Sequence, residues 1–179
     1  MATHGMIDLE TLDTKPSATV LSLGAIKFDP YSDAEPHSEL YFKMDIDEQD
    51  QLGRSTSDST IAWWGKQDPA VMEEAFDPAG RLSVEEALKQ LTKWCVGVDT
   101  IWGQGYGFDT TILEDMYRNI GKPIPWNFWQ QRDSRTLFGL CKKDPRKIFG
   151  QDNLHNALAD AYFQAKGVQY AYSELGQKR

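Results

Sequence analysis

Asp8 and Glu10 stand two positions apart in "MIDLET" (Met6 to Thr11). In an extended strand side chains alternate, so both carboxylates point to one face. Like charges held side by side repel unless solvent surrounds them or a cation sits between them. Alone, Asp-x-Glu fits a solvated strand face as well as a binding site. A second acid, Asp109, follows a run of glycines in "IWGQGYGFDTTIL". There it serves either as a first-turn acid favoured by the helix dipole or as a ligand beside a close backbone approach. A third place, "DNLHNALADAYFQA", holds His155 and Asp160. Five residues turn a helix by about 500°, so this pair cannot share a face within one regular helix. If both serve one site, His155 belongs at or before the first turn, with Asp152 or Asn153 as the cap.

Taken together, these acids and the histidine can form one electronegative pocket. Carboxylate oxygens select Mg²⁺ or Mn²⁺ over Zn²⁺. Two such ions about 4 Å apart suit in-line phosphodiester cleavage. A histidine with an ordinary pKa near 6.5 can take the proton of the attacking water.

The elements that must position these groups follow from residue patterning. The chain has 179 residues and a formal net charge of -8. That length fits one domain, residues 1–179, with a sizeable core. The charge disfavours non-specific phosphate binding, but not a nuclease whose acids carry divalent metals. "HGMIDLET", "SATVLSLGAIKFDP" and "SELYFKMDI" read as three strands of an antiparallel meander. "DEQDQLGRSTSDS" reads as a loop, and "MDIDEQD" as a solvated acidic loop, since it lacks the glycine and glutamate of a calcium loop. "STIAWWGKQ" and "DPAVMEEAF" read as helices. "SVEEALKQLTKWC" is amphipathic, with Ser83 and Glu86 as a capping box. "VDTIWGQG" is a short buried strand. "FDTTILEDMYRNIG" is a helix closed by Gly121, and "SRTLFGLCKK" a short one. A long terminal helix follows, with a break expected at Gly167. Strands followed by alternating helices and strands give an α/β fold around a mixed sheet.

Other features fit a bland reading. "RDSRTLFGLCKKDPRK" (Arg132 to Lys147) is either a solvated surface with a turn at Asp144-Pro145 or a phosphate-facing patch. Cys95 and Cys141 form no CxxC pattern, which argues against zinc or a disulfide framework. "MATHG" lacks a basic segment followed by an apolar run, and no stretch suits a bilayer. The expectation is a cytoplasmic protein with no membrane partner. Asp13 reads as a turn residue. Among Trp63, Trp64, Trp102 and Trp126, most are expected in the core, although tryptophans also stack bases. Adjacent on a helix, Trp63 and Trp64 cannot face one direction, so one is expected in the core and one near a substrate.

The ordered set Asp8-x-Glu10, Asp109 and His155-x-x-x-x-Asp160 resembles the DEDDh exonucleases of the DnaQ-like, RNase H-like superfamily across nearly the whole chain. "TIAWWGKQ", "WGQGYGFD", "RDSRTL" and "HNALADAYFQA" resemble its small RNase AS and phage exonuclease A type. The resemblance implies an RNase H-like mixed sheet, an antiparallel meander plus parallel strands, flanked by helices. It implies a 3′→5′ exonuclease on single-stranded RNA or DNA 3′ ends, releasing nucleoside 5′-monophosphates with two Mg²⁺ or Mn²⁺. Asp8 would bridge both metals, Glu10 and Asp160 would complete the nucleophile-side metal, Asp109 would hold the other, and His155 would be the general base. Glu10 and the Thr11 backbone would meet the terminal 3′-OH, and Leu12 would wedge against the last base. Trp63, Trp64 and Phe108 complete the expected substrate contacts. A homodimer is also implied. One departure is Ala159, where relatives often carry a second acid. The competing readings are a non-catalytic nucleic-acid or protein-binding module on this fold and a phosphohydrolase of very short oligonucleotides.

Overall fold

A computed structural model describes residues 2–149 and 155–179. Three strands open the chain: β1 (His4–Thr11), β2 (Val20–Phe28) and β3 (His37–Lys43). Helices α1 (Ile46–Gln51), α2 (Asp58–Trp64), α3 (Pro69–Phe76) and α4 (Val84–Trp94) follow. Then come β4 (Thr100–Gly103), α5 (Asp109–Asn119), β5 (Gln131–Asp133), α6 (Ser134–Phe138) and α7 (Ala157–Glu174). The sheet order is β3-β2-β1-β4-β5. The first three strands pair antiparallel, and β4 and β5 add in parallel. The observed sheet is the expected meander extended by parallel strands.

Strand alternation divides the core. Ile7 and Leu9 pack on one side with Leu88 and Leu91 of α4 and with Ile112, Leu113 and Met116 of α5. Met6 faces the other side, with Ile26, Trp102, Phe138 and the small residues Ala161, Ala165 and Ala171 of α7. Asp8 and Glu10 share the face of Met6 and therefore look toward α7. Opposite Asp8 in the ladder stands Gly24. A methyl group there would lie 2.2 Å from backbone atoms of Ala157 and Leu158. Only a residue without Cβ lets the first turn of α7 rest on the sheet at this point.

Several elements differ from expectation. The acidic stretch after β3 is helical: Asp45 caps α1 through the Glu48 amide, and Gln49 is fully buried. Its side chain bonds both the amide and the carbonyl of Val20, so a polar residue does the packing that patterning assigns to apolar ones. The terminal helix runs unbroken through Gly167. A Cβ at Gly167 would meet the Phe138 ring at 2.7 Å, so the glycine marks close packing against α6 rather than a break. Asp152 and Asn153 lie outside the described residues, and the cap of α7 is Asn156, whose side chain accepts the Ala159 amide. Ser83 does cap α4, but Glu86 bonds Gln90 instead of returning to the cap. Among the described residues, no helix is long and apolar enough to cross a membrane.

Replacing Gly24 with alanine must lift α7 from the sheet or bend β2. Overpacking of this kind costs about 1–3 kcal/mol. Urea unfolding of Gly24→Ala should show that loss, whereas unchanged stability would mean that α7 shifts freely.

Candidate active site

The cleft opens at the carboxyl ends of β1 and β4, where ligands of open α/β sheets bind. It is lined by Asp8, Glu10, Asp109, His155 and Asp160, with a volume of about 620 Å³. Two element types with matched repeats bring the groups together. Alternate residues of a strand are about 6.7 Å apart, and residues one turn apart in a helix about 6 Å. Asp8 and Glu10 on β1 thus face Gln164 and Asp160 on α7. The Gln164 amide donates to Asp8 Oδ1 at 2.8 Å. Glu10, His155 and Asp160 bring ligand atoms within 4.8 Å of one another.

His155 lies ahead of α7, in the left-handed region at φ 68°. Histidine tolerates that region better than most residues, at a cost on the order of 1 kcal/mol. The turn folds the chain back so that the His155 amide donates to Asp160 Oδ2 at 2.9 Å. This is how a five-residue offset reaches one site. The ring packs edge-on against Trp63, with centroids 4.7 Å apart.

Asp109 enters from the first turn of α5. β1 outruns the short β4, whose ladder stops at Met6. Asp109 takes over: Oδ1 accepts the Leu9 amide and Oδ2 the Gln104 amide, each at 3.1 Å. The carboxylate therefore staples β1 to the glycine loop after β4, and each oxygen keeps a second lone pair. Gly103 permits this, because a Cβ there would approach Asp109 Oδ2 to 2.9 Å.

Not every expected contact faces the cleft. Leu12 is only 5% exposed and packs with Leu21, Trp64 and Ala75. A register shift between Glu10 and Thr11 ends the alternation that would have kept Leu12 on the face of Asp8 and Glu10. Thr11 is buried, its hydroxyl donating to the Asp13 carbonyl and its own carbonyl accepting the Trp64 indole. Trp64 is 1% exposed, so it belongs to the core and cannot stack a base, whereas Trp63 is 41% exposed beside His155. Trp102 and Trp126 are core residues. Phe108 is half-buried at the cleft wall. Asp13 follows the end of β1, covered, with its carboxylate on the Thr14 amide. Sequence reasoning passed over Gln164 and the 96% exposed Tyr106, and reached Arg135 only as one member of the Arg132–Lys147 stretch; all three line the cleft. A glutamine or arginine on a helix carries no signal until its neighbours are known; Tyr106 lay in plain view between two glycines.

Burial and mutual repulsion make the acids reluctant to ionise. Asp8 is raised well above the usual carboxylate range, first by burial and then by the charges of Asp109, Glu10 and Asp160. Burial, with Asp160 and Asp109 nearby, pushes Glu10 up to about 8. Burial raises Asp109 to about 7, against the pull of the amides it binds, and Asp160 to about 6. Burial lowers His155, so its ring is neutral at pH 7 and can accept a proton. A carboxyl that holds its proton more tightly when folded gives stability that falls as pH rises from the unfolded value to the folded one. For Glu10 this window runs from 4.5 to about 8. In chelator-treated protein the melting temperature should therefore decline across that window, and Glu10→Gln should flatten the decline. Parallel pH profiles for the two proteins would show that Glu10 is not strained.

Comparisons with known proteins complete this picture. No curated protein matches the sequence significantly. The nuclease domain of 3′hExo, a DEDDh family member solved bound to rAMP, superposes with a TM-score of 0.62 at 14% identity, covering 99% of this chain and 94% of that one. Cell-death related nuclease 4 (CRN-4) gives a TM-score of 0.66 at 13% identity, covering 98% of this chain. E. coli exonuclease I, solved with an oligonucleotide, gives 0.61 at 16% identity, covering 99% of this chain. The chain spans 65% of CRN-4 and 42% of exonuclease I. The fold is thus the RNase H-like exonuclease fold. The Rv2179c-like 3′-5′ exoribonuclease domain matches residues 3–172. With the cleft on the carboxyl ends of its strands and nearly its whole length matched, the chain belongs to the Rv2179c-like 3′-5′ exoribonuclease family of nucleases.

Proposed function

We propose that the protein is a two-metal 3′→5′ exonuclease that shortens single-stranded nucleic acid, RNA or DNA, and releases nucleoside 5′-monophosphates. The observation that carries this reading is the meeting of Glu10, His155 and Asp160 beside Asp8 and Asp109 in one cleft. The donor set fits divalent cations. The acids supply oxygen ligands; burial first, and then the negative charge of their neighbours, raises Asp8 and Glu10, and a cation would relieve the second of these. Asp8, Glu10, Asp109 and Asp160 would hold Mg²⁺ or Mn²⁺. When bound, two such ions activate the attacking water and neutralise charge on the reacting phosphate.

The chain's own residues do the rest. The neutral His155 ring accepts the proton of the attacking water, and Trp63 fixes the ring's edge. The Asp160 carboxylate holds the histidine backbone in place. Gln164 orients Asp8 by donating to one oxygen and leaving the other for a cation. Asp109 holds the glycine loop close to the reacting end.

A 5′-labelled single strand with Mg²⁺ or Mn²⁺ should shorten stepwise from its 3′ end, and Asp8→Asn should abolish this. If neither RNA nor DNA shortens in a metal-dependent way, the reading is wrong. A series from dinucleotide to long strand separates it from a phosphohydrolase of very short oligonucleotides. His155→Ala should lower kcat by about 10²- to 10⁴-fold with little change in metal binding, the range expected for loss of a general base. Full turnover in that variant near pH 7 would remove His155 from the role.

A further inference from the structure

A strand of phosphodiesters entering this cleft meets an acidic floor, and bound cations act only at the reacting end. Two arginines line the cleft, and they are used differently. Arg146 is committed: its Nε lies 3.0 and 3.1 Å from the two Asp144 carboxylate oxygens, and its Nη2 donates at 2.7 Å. Arg135 makes no side-chain hydrogen bond or ion pair among the described residues, and it is exposed.

The backbone of Arg135 is fixed nonetheless. The Asp133 carboxylate accepts the amides of Arg135 and Thr136, which caps α6, and also the Gly105 amide at 2.9 Å. One carboxylate therefore ties the start of α6 to the glycine loop that carries Asp109. The Arg135 guanidinium lies over this loop, with Nη2 only 3.9 Å from where a Gly105 Cβ would stand. Its charge is felt at Asp109. A planar guanidinium whose donors meet no partner among the described residues can match two phosphate oxygens at once.

We infer that Arg135 is a substrate-anchoring residue that grips an internucleotide phosphate near the 3′ end of the bound strand. The inference rests on the nuclease reading above and gives it a contact that distinguishes a strand from a mononucleotide. Asp133 is the positioning residue that aims this arginine and the glycine loop together.

The test uses the intact protein, Arg135→Ala and Arg135→Lys. The substrates are 5′-labelled oligomers with one neutral methylphosphonate at each of the 3′-terminal linkages in turn. Arg135→Ala should raise KM about ten- to hundredfold with a much smaller change in kcat, the range for a hydrogen bond to a charged group. Its KM should rise less steeply with salt, by about 0.7 in log–log slope, as for one lost phosphate contact on a single strand. One neutral linkage should weaken wild type and leave Arg135→Ala unaffected. Arg135→Lys should recover part of the loss. The assignment is overturned if Arg135→Ala keeps the wild-type salt slope and neutral-linkage profile. It is overturned too if its melting temperature falls, which would mark a structural role. If wild type shortens no oligomer at all, the nuclease reading itself fails and takes this assignment with it.

Discussion

Repulsion among buried carboxylates is the constraint on which this molecule is organised. Asp8, Glu10, Asp109 and Asp160 each prefer to be apart and in water, and the fold holds them together and partly dry. Every neighbouring device serves to hold that arrangement. Asp109 is fixed by two backbone amides, Asp160 by one, and Asp8 by the Gln164 side chain. None of these partners carries a charge. The pocket is thus kept in geometry by dipoles and keeps its negative potential, which a lysine or arginine in the same places would have cancelled.

Backbone proximity makes the arrangement possible. The strand and helix repeats match closely enough for two rungs, and only because α7 rests on β2 at Gly24. The alanine stripe of α7 extends the same close approach along the sheet. Small residues here set the distance between two chemical surfaces as much as they fill space. The same logic holds at Gly103, where absence of a side chain leaves room for Asp109.

Much of this was legible in the sequence, for physical reasons. β1 matches the span read from "HGMIDLET", because a short apolar run in which Asp8 and Glu10 alternate with Ile7 and Leu9 suits a strand. The acids and histidine stood out because charge in apolar segments is costly and needs a reason. Other features were not legible. Helix α1 depends on Gln49 bonding a strand far away in sequence, which no local pattern records. Gly167 serves close packing against the Phe138 ring, not a break in α7, and its own sequence neighbours do not record that contact. Leu12 left the face of Asp8 and Glu10 through a one-residue irregularity that alternation cannot reveal. Gln164 and Arg135 gain meaning only from what the fold places beside them.

The turn at His155 carries a wider consequence. Its backbone amide hangs from the Asp160 carboxylate, and its φ of 68° relies on that anchor to be held. Asp160 and His155 therefore form an interlock. A proton or a side-chain exchange that alters the carboxylate also releases the imidazole, whatever the state of the ring itself. The two positions cannot be tuned one at a time, and the effects of changing both will not add.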